Sequence, residues 1–194
     1  MRKSVAIYGG SFDPPHVSHV LASVYALKVG RFEQVLVVPV FAHAFQKQLT
    51  PFHHRLRMCE LAFAGIEGVL VSPVEHELAT PSLTLRTLEH LAALHSDWSL
   101  RLLVGSDVLS ETSKWHAFER ISTLAPPYVL ARPGYPHPDP YALTLPAVSS
   151  TRVRAALTHR TQQSERALLA SNVPGAVLDY IDEHGLYPGG TDYG

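Results

Sequence analysis

Short continuous apolar runs alternate along the chain with stretches in which apolar positions recur three and four residues apart. Val5-Ala6-Ile7-Tyr8 is one such run and stops at Gly9-Gly10, the pattern of a buried strand feeding a glycine turn. His16 to Val29 predicts a helix, with Val20, Leu21, Val24 and Leu27 at helical spacing and Gly30 just past its end. Val35-Leu36-Val37-Val38-Pro39 predicts a second buried strand, and residues 40–50, without a clear period, a loop. Pro51 opens a helix in which Leu56, Cys59, Leu61 and Phe63 fall on or beside one face. Val69-Leu70-Val71 predicts a third strand, Glu75 to Ser82 a polar loop, and Leu83 to Leu94 a helix with Leu85, Leu88, Leu91 and Leu94 aligned. Leu102-Leu103-Val104 predicts a fourth strand and Tyr128 to Ala131 a fifth, with Leu143 to Val148 as a candidate sixth beyond a Pro/Gly-rich loop, 132–140. Thr151 to Leu157 and Pro174 to His184 complete the pattern as helices.

Strands that are apolar throughout need cover on both faces, and the amphipathic segments between them supply it. The expected fold is therefore a doubly wound, parallel, Rossmann-like α/β sheet. Ligands of such sheets bind beyond the carboxyl ends of the strands, so the loops after Tyr8, Pro39, Val104 and Val148 are expected to converge. No repeat or long linker divides the chain, so residues 1–194 read as a single domain with a helical C-terminal part over 149–188.

Composition narrows the function classes. With 46% apolar and 17% charged residues the chain is not a disordered one. A formal net charge of -1 excludes a broadly basic nucleic-acid coat while allowing a local basic pocket. The one cysteine, Cys59, allows neither an internal disulfide nor a four-cysteine zinc site, and its mid-helix setting reads as a core thiol. No run of eighteen apolar residues suggests a membrane span, and the apolar stretch after Met1 is too short for a secretory signal, so the cytoplasm is the default location. A homo-oligomer is compatible with these features. The 12 histidines are the unusual entry, open to a metal site, to anion handling near neutral pH, or to no common purpose.

The segment Gly9-Gly10-Ser11-Phe12-Asp13-Pro14-Pro15-His16-Val17-Ser18-His19 carries the most chemistry. Its glycines let backbone approach a ligand, and its prolines stiffen the entry to a helix. His16, expected in the first helical turn, and His19, three residues on, would share the end where free N–H groups and the helix dipole favour an anion. A zinc reading is weaker, because no HExxH is present and the pair lacks obvious carboxylate or cysteine partners. At a second strand end, Ser149-Ser150-Thr151-Arg152-Val153-Arg154 offers hydroxyls and free N–H groups at a helix start, with Arg154 one turn inward. Gly105 and Asp107 follow the fourth strand, where an acidic side chain suits ribose hydroxyls or a helix cap. Trp115 has a flat face suited equally to stacking on a pyridine ring or to the core. His53-His54-Arg55 reads as a solvated helix start, with Arg55 adding positive potential.

The first segment resembles the GG-[ST]-FDP-x-H-x-x-H signature of nucleotidyltransferases with HxGH-type motifs, and most closely that of the bacterial nicotinate-nucleotide adenylyltransferase family. The resemblance spans nearly the whole chain. Leu102 to Asp107 resembles the family's (I/L)xG-x-D segment, Arg132-Pro133-Gly134-Tyr135 its RPGY loop, Val148 to Arg154 its ISSTxIR signature, and Tyr180-Ile181 through Gly185-Leu186-Tyr187 its closing YI…GLY. Four departures stand out. Ser18 replaces the glycine of HxGH, Leu83 and Arg86 replace the tyrosine and aspartate of SYTxDTL, and residues 40–47 replace a PPHK-like string.

The resemblance implies adenylyl transfer from ATP to nicotinate mononucleotide, giving deamido-NAD and pyrophosphate. It implies His16 and His19 as catalytic residues. Gly9, Gly10, Ser11, Phe12, Lys47, Gly105, Asp107, Ser150, Thr151 and Arg154 would bind ATP, with His43 a second candidate beside Lys47. Thr84, Trp115 and Arg132 would meet the acceptor. Mg²⁺ would bind mainly through ATP phosphates, with no protein metal site. The rivals are the same chemistry on nicotinamide mononucleotide or phosphopantetheine, and a nucleotide-binding module without turnover. The partners expected are small molecules, with neither nucleic acid polymer nor membrane among them.

Overall fold

A computed structural model describes residues 2–42, 48–78, 80–110, 112, 115–139 and 142–188. Its centre is a parallel five-stranded sheet in the order β3-β2-β1-β4-β5. The strands are β1 (Lys3–Gly10), β2 (Gln34–Pro39), β3 (Val69–Val71), β4 (Trp98–Gly105) and β5 (Pro127–Leu130). β1 lies centrally, with Ile7 in register with Leu36 of β2 and Leu102 of β4. Because side chains alternate across a strand, Val5 and Ile7 enter one apolar core and Ala6 the other. The five short apolar runs were thus legible as strands, and the all-parallel, doubly wound α/β prediction holds.

One face is covered by α1 (Val17–Lys28), α2 (Phe52–Phe63), α7 (Ser150–Thr158), α8 (Gln163–Asn172) and α9 (Gly175–Glu183), through residues such as Ala22, Met58, Leu157 and Ile181. The other is covered by α3 (Val74–Glu77), α4 (Thr84–Leu94) and α6 (Phe118–Leu124), through Val74, Leu88, Leu91 and Ile121. The short α5 (Ser106–Leu109) starts directly at the end of β4. No helix among the described residues is long and apolar enough to cross a membrane.

Several expectations are corrected. The candidate sixth strand is a single bridge between Ala131 and Thr144. Pro146 lacks the N–H that a longer ladder would need. The polar loop 75–82 contains α3, whose Glu75 is buried. The fully buried residues of α1 are Ser18, Ala22, Ser23 and Ala26; of the Val/Leu stripe, Val20 and Leu27 pack partly buried against the core, while Leu21 is exposed. Small residues allow α1 to lie close to the strands. Leu94 is likewise exposed, although Leu85, Leu88 and Leu91 are buried as expected. The helices α6 and α8 lack a strong apolar stripe in the sequence and were not foreseen.

Candidate active site

The turn after β1 holds the histidine pair. His16 is the N-cap of α1 and has extended backbone, so it precedes the first turn rather than lying within it. Its backbone N–H donates to Nδ1 of His19 at 3.1 Å, and the two rings stack with centroids 3.8 Å apart. An accepting Nδ1 leaves the proton of neutral His19 on Nε2, where it can serve as a donor. The Phe12 ring meets His19 edge-on from below, at 4.9 Å. Phe12 is buried and adopts a left-handed φ of 47°, a backbone strain stored at the centre of the turn.

Electrostatics keep both rings neutral. Burial, aided by the nearby Arg132 guanidinium, lowers the His16 pKa to about 4. Burial, then His16, then Arg132 hold that of His19 well below its ordinary value. The pair therefore presents ring N–H dipoles rather than fixed charges. Nδ1 of His16 is buried without a hydrogen-bond partner among the described residues, the kind of orphan expected where a ligand completes the site.

Side-chain donors to backbone carbonyls fix this turn from several directions. Arg154 Nη1 donates to the carbonyl of Asp13 at 2.6 Å and Ser150 Oγ to that of Pro14 at 2.9 Å. Ser149 caps α7 by accepting from the Arg152 N–H. The Asp13 carboxylate accepts from the Thr50 N–H on one oxygen and from the Tyr187 hydroxyl on the other. Arg55 is not a solvated residue but is 1% exposed. It donates to the carbonyls of Thr50, Ser11 and Phe41, and so joins the loops after β1 and β2 to the start of α2. The sequence signal for it is its row: Arg55 falls at helical spacing with Met58, Cys59 and Ala62, all buried. Cys59 is a buried core thiol, as expected.

Two adjoining cavities open at the carboxyl ends of the strands. The larger, about 460 Å³, is lined by Gly9, Gly10 and Ser11 on one side and by Glu75, Thr84, Thr87 and Trp115 on the other. The smaller, about 170 Å³, is lined by Tyr8, Gly9, His19, Gly105, Asp107 and Arg132. They share Gly9, Leu103, Val104, Val108 and Trp115. A Cβ on Gly9 would meet nothing within 4 Å, so its bareness serves the space and not the packing. A Cβ on Gly105 would press on Asp107 Oδ1 and lie 2.9 Å from Cγ of Arg132, which explains the glycine. Arg132 and Asp107 form a loose ion pair at 3.9 Å.

The sequence-predicted residues are thus only partly brought together. Gly10, Ser11, Thr84 and Trp115 line the larger cavity, while Gly105, Asp107, His19 and Arg132 line the smaller, so Arg132 sits with the residues assigned to ATP. Phe12 points into the core. Ser150, Thr151 and Arg154 line neither cavity; Ser150 and Arg154 bond to the turn's backbone, and Thr151 Oγ1 accepts from Arg154 Nη2. Lys47 and His43 lie outside the described residues. Glu75 was missed: it accepts from the Phe41 N–H at 3.1 Å and the Thr87 hydroxyl at 3.0 Å, tying the loop after β2 to α4. Among the described residues no group of three or more His, Cys, Asp or Glu side chains is placed to hold a metal ion.

Residues 7–156 match the cytidylyltransferase-like family. A probable nicotinate-nucleotide adenylyltransferase of Anaeromyxobacter sp. (strain K) is 46% identical over 190 residues, covering 96% of this chain and 98% of that one. A protein of the same description from Myxococcus xanthus is 38% identical, covering 94% of each. Among solved structures, a Plasmodium falciparum nicotinic acid mononucleotide adenylyltransferase complexed with NaAD aligns with a TM-score of 0.78 at 23% identity, over 95% of this chain and 97% of that one, a likeness of fold. With a family model matching residues 7–156 and similarity running along nearly its full length, the chain belongs to the cytidylyltransferase-like nucleotidyltransferases and, among them, to the nicotinate-nucleotide adenylyltransferase family.

Proposed function

We propose that the chain transfers the adenylyl group of ATP to nicotinate mononucleotide, releasing pyrophosphate and forming deamido-NAD. The observation that carries this reading is the pair of adjoining cavities that share the ends of β1 and β4 and Trp115, one of them bearing His19, Asp107 and Arg132. Two nucleotides placed in them would have their phosphates facing each other across the end of β1. An oxygen of the mononucleotide 5′-phosphate attacks the α-phosphorus, a new P–O bond forms, and the bond to the bridging oxygen of pyrophosphate breaks. The nucleophile is already an anion, so no covalent enzyme intermediate is required.

In this reading His19 donates from Nε2 to the α-phosphoryl group, and His16 steadies charge that develops towards the leaving group. Neutral rings suit the task, because they supply donors without binding the ground-state anion as tightly as fixed cations would. Arg132 adds the positive field. Ser150, Thr151 and Arg154 would contribute the helix start of α7 and a guanidinium to the β- and γ-phosphates, with Lys47 as a further cation. Mg²⁺ would accompany ATP and offset the charge of its phosphates. The N-cap of α4, Leu83, offers no side chain to the first N–H groups of that helix, and Thr84 lines the larger cavity. The partial positive charge of a helix start favours an acceptor carrying a carboxylate. Such substrates agree with a cytoplasmic setting.

The test supplies ATP and Mg²⁺ with nicotinate mononucleotide, nicotinamide mononucleotide or phosphopantetheine in turn, and measures pyrophosphate. Fastest release with the nicotinate form, with deamido-NAD as co-product, is the expected result. Preference for the amide would overturn the acceptor, and release with none would favour a binding module.

A further inference from the structure

We infer that Ser18 is a positioning residue, whose hydroxyl pins the histidine-bearing start of α1 to the turn that sets Ser149 and Ser150. Ser18 is 1% exposed and its Oγ donates to the carbonyl of Pro146 at 2.9 Å, across 128 positions of sequence. The same carbonyl accepts from the Val148 N–H at 2.8 Å, closing a three-residue turn immediately before the Ser149 cap of α7. One oxygen is therefore both the corner of that turn and the anchor for α1.

The neighbouring anchors run the other way. Ser150 and Arg154 reach from α7 to the carbonyls of Pro14 and Asp13, before α1. Those two anchors end on the turn before α1, whereas the bond from Ser18 starts within the helix itself. It falls one residue from His19 and two from His16, so it ties the histidine pair to the turn that leads into α7. The glycine of the HxGH pattern cannot make this bond, so it belongs to the residue this chain carries instead.

A merely structural hydrogen bond predicts a different cost. Removing the hydroxyl leaves the Pro146 carbonyl still paired with Val148, so little desolvation penalty follows and thermal stability changes little. What is lost is alignment, to which in-line transfer is sensitive. The kinetic consequence rests on the adenylyl-transfer reading, so the wild-type chain is assayed first. Turnover of Ser18→Ala and Ser18→Gly is then measured with saturating ATP and nicotinate mononucleotide, well below each melting temperature. The expected result is a loss of about ten-fold in kcat, with both KM values within about two-fold of wild type and a small shift in melting temperature. Unchanged kcat, a rise in KM alone, or failure of both variants to fold would each overturn the assignment, the last because the hydroxyl would then serve the fold. No pyrophosphate from the wild type would overturn the adenylyl-transfer reading and the kinetic role of Ser18 with it.

Discussion

The turn between β1 and α1 and the wall formed by α3, α4 and Trp115 border the same space but are held by different means. Around the turn, charged and hydroxyl side chains from distant parts of the chain close on backbone carbonyls: Arg55, Ser150 and Arg154 all end on residues 11–14, and Asp13 is gripped by Thr50 and Tyr187. The wall is held mainly by apolar packing of Leu85, Leu88 and Leu91, with the bonds of Glu75 as its polar tie. A phosphate-handling turn must keep its geometry to fractions of an ångström, and directional bonds do that better than apolar contacts. A wall that recognises one ring among several can rely on shape and a few donors. The departures from the family pattern at Leu83 and Arg86 fall on the wall, whereas Ser18 lies in the first turn of α1 and bonds to the Pro146 carbonyl.

This contrast can be broken at its strongest point by Arg55→Met. Three carbonyls would lose a donor, and a loss of about 3 kcal/mol in stability is expected by denaturant unfolding. A loss well under 1 kcal/mol would mean that the turn is not held by these bonds. His16→Ala comes next. It should lower kcat about 100-fold while KM for ATP changes little, measured by steady-state pyrophosphate release. Equal losses in kcat and binding would remove the catalytic role.

A slightly smaller effect concerns pH. His16 has a folded pKa of about 4 against an ordinary 6.5, so the unfolded chain takes up a proton that the folded chain refuses. Its contribution is complete above pH 6.5 and is lost as pH falls towards about 4, by roughly 2 kcal/mol over that window. His16→Gln should lack this part of the decline when unfolding is followed across the same pH range, and an identical slope would contradict the buried neutral ring. The smallest effect belongs to the wall. Trp115→Ala should raise KM for the acceptor about ten-fold with kcat nearly preserved. A fall in kcat as large as that of His16→Ala would erase the distinction between the two regions.

The strands and most helices could be read from the chain because burial on two faces leaves a continuous apolar run, and burial on one face leaves a helical period. The glycine turn and the SSTxxR segment could be read because their residue types sit next to each other in sequence. Arg55 and Glu75 were not read, although each falls in a recognised segment. A buried charge looks like a surface charge until its partners are known, and their partners are backbone groups of other segments. The α1 stripe was right only in part: Val20 and Leu27 pack against the core, but the close approach of the helix to the sheet buries the smaller residues beside them more completely and leaves Leu21 exposed.

The sequence alone determined the parallel α/β class, the chemistry-bearing motifs at two strand ends and the resemblance they carry, since all of these are written in local pattern and order. Only the tertiary structure decided that His16 caps its helix, that Arg132 stands with Asp107 and that Ser18 reaches Pro146. The last two depend on contacts between residues far apart along the chain, and the first on a turn that distant side chains hold in place, so each is set by how helices and strands pack and not by what any segment prefers by itself.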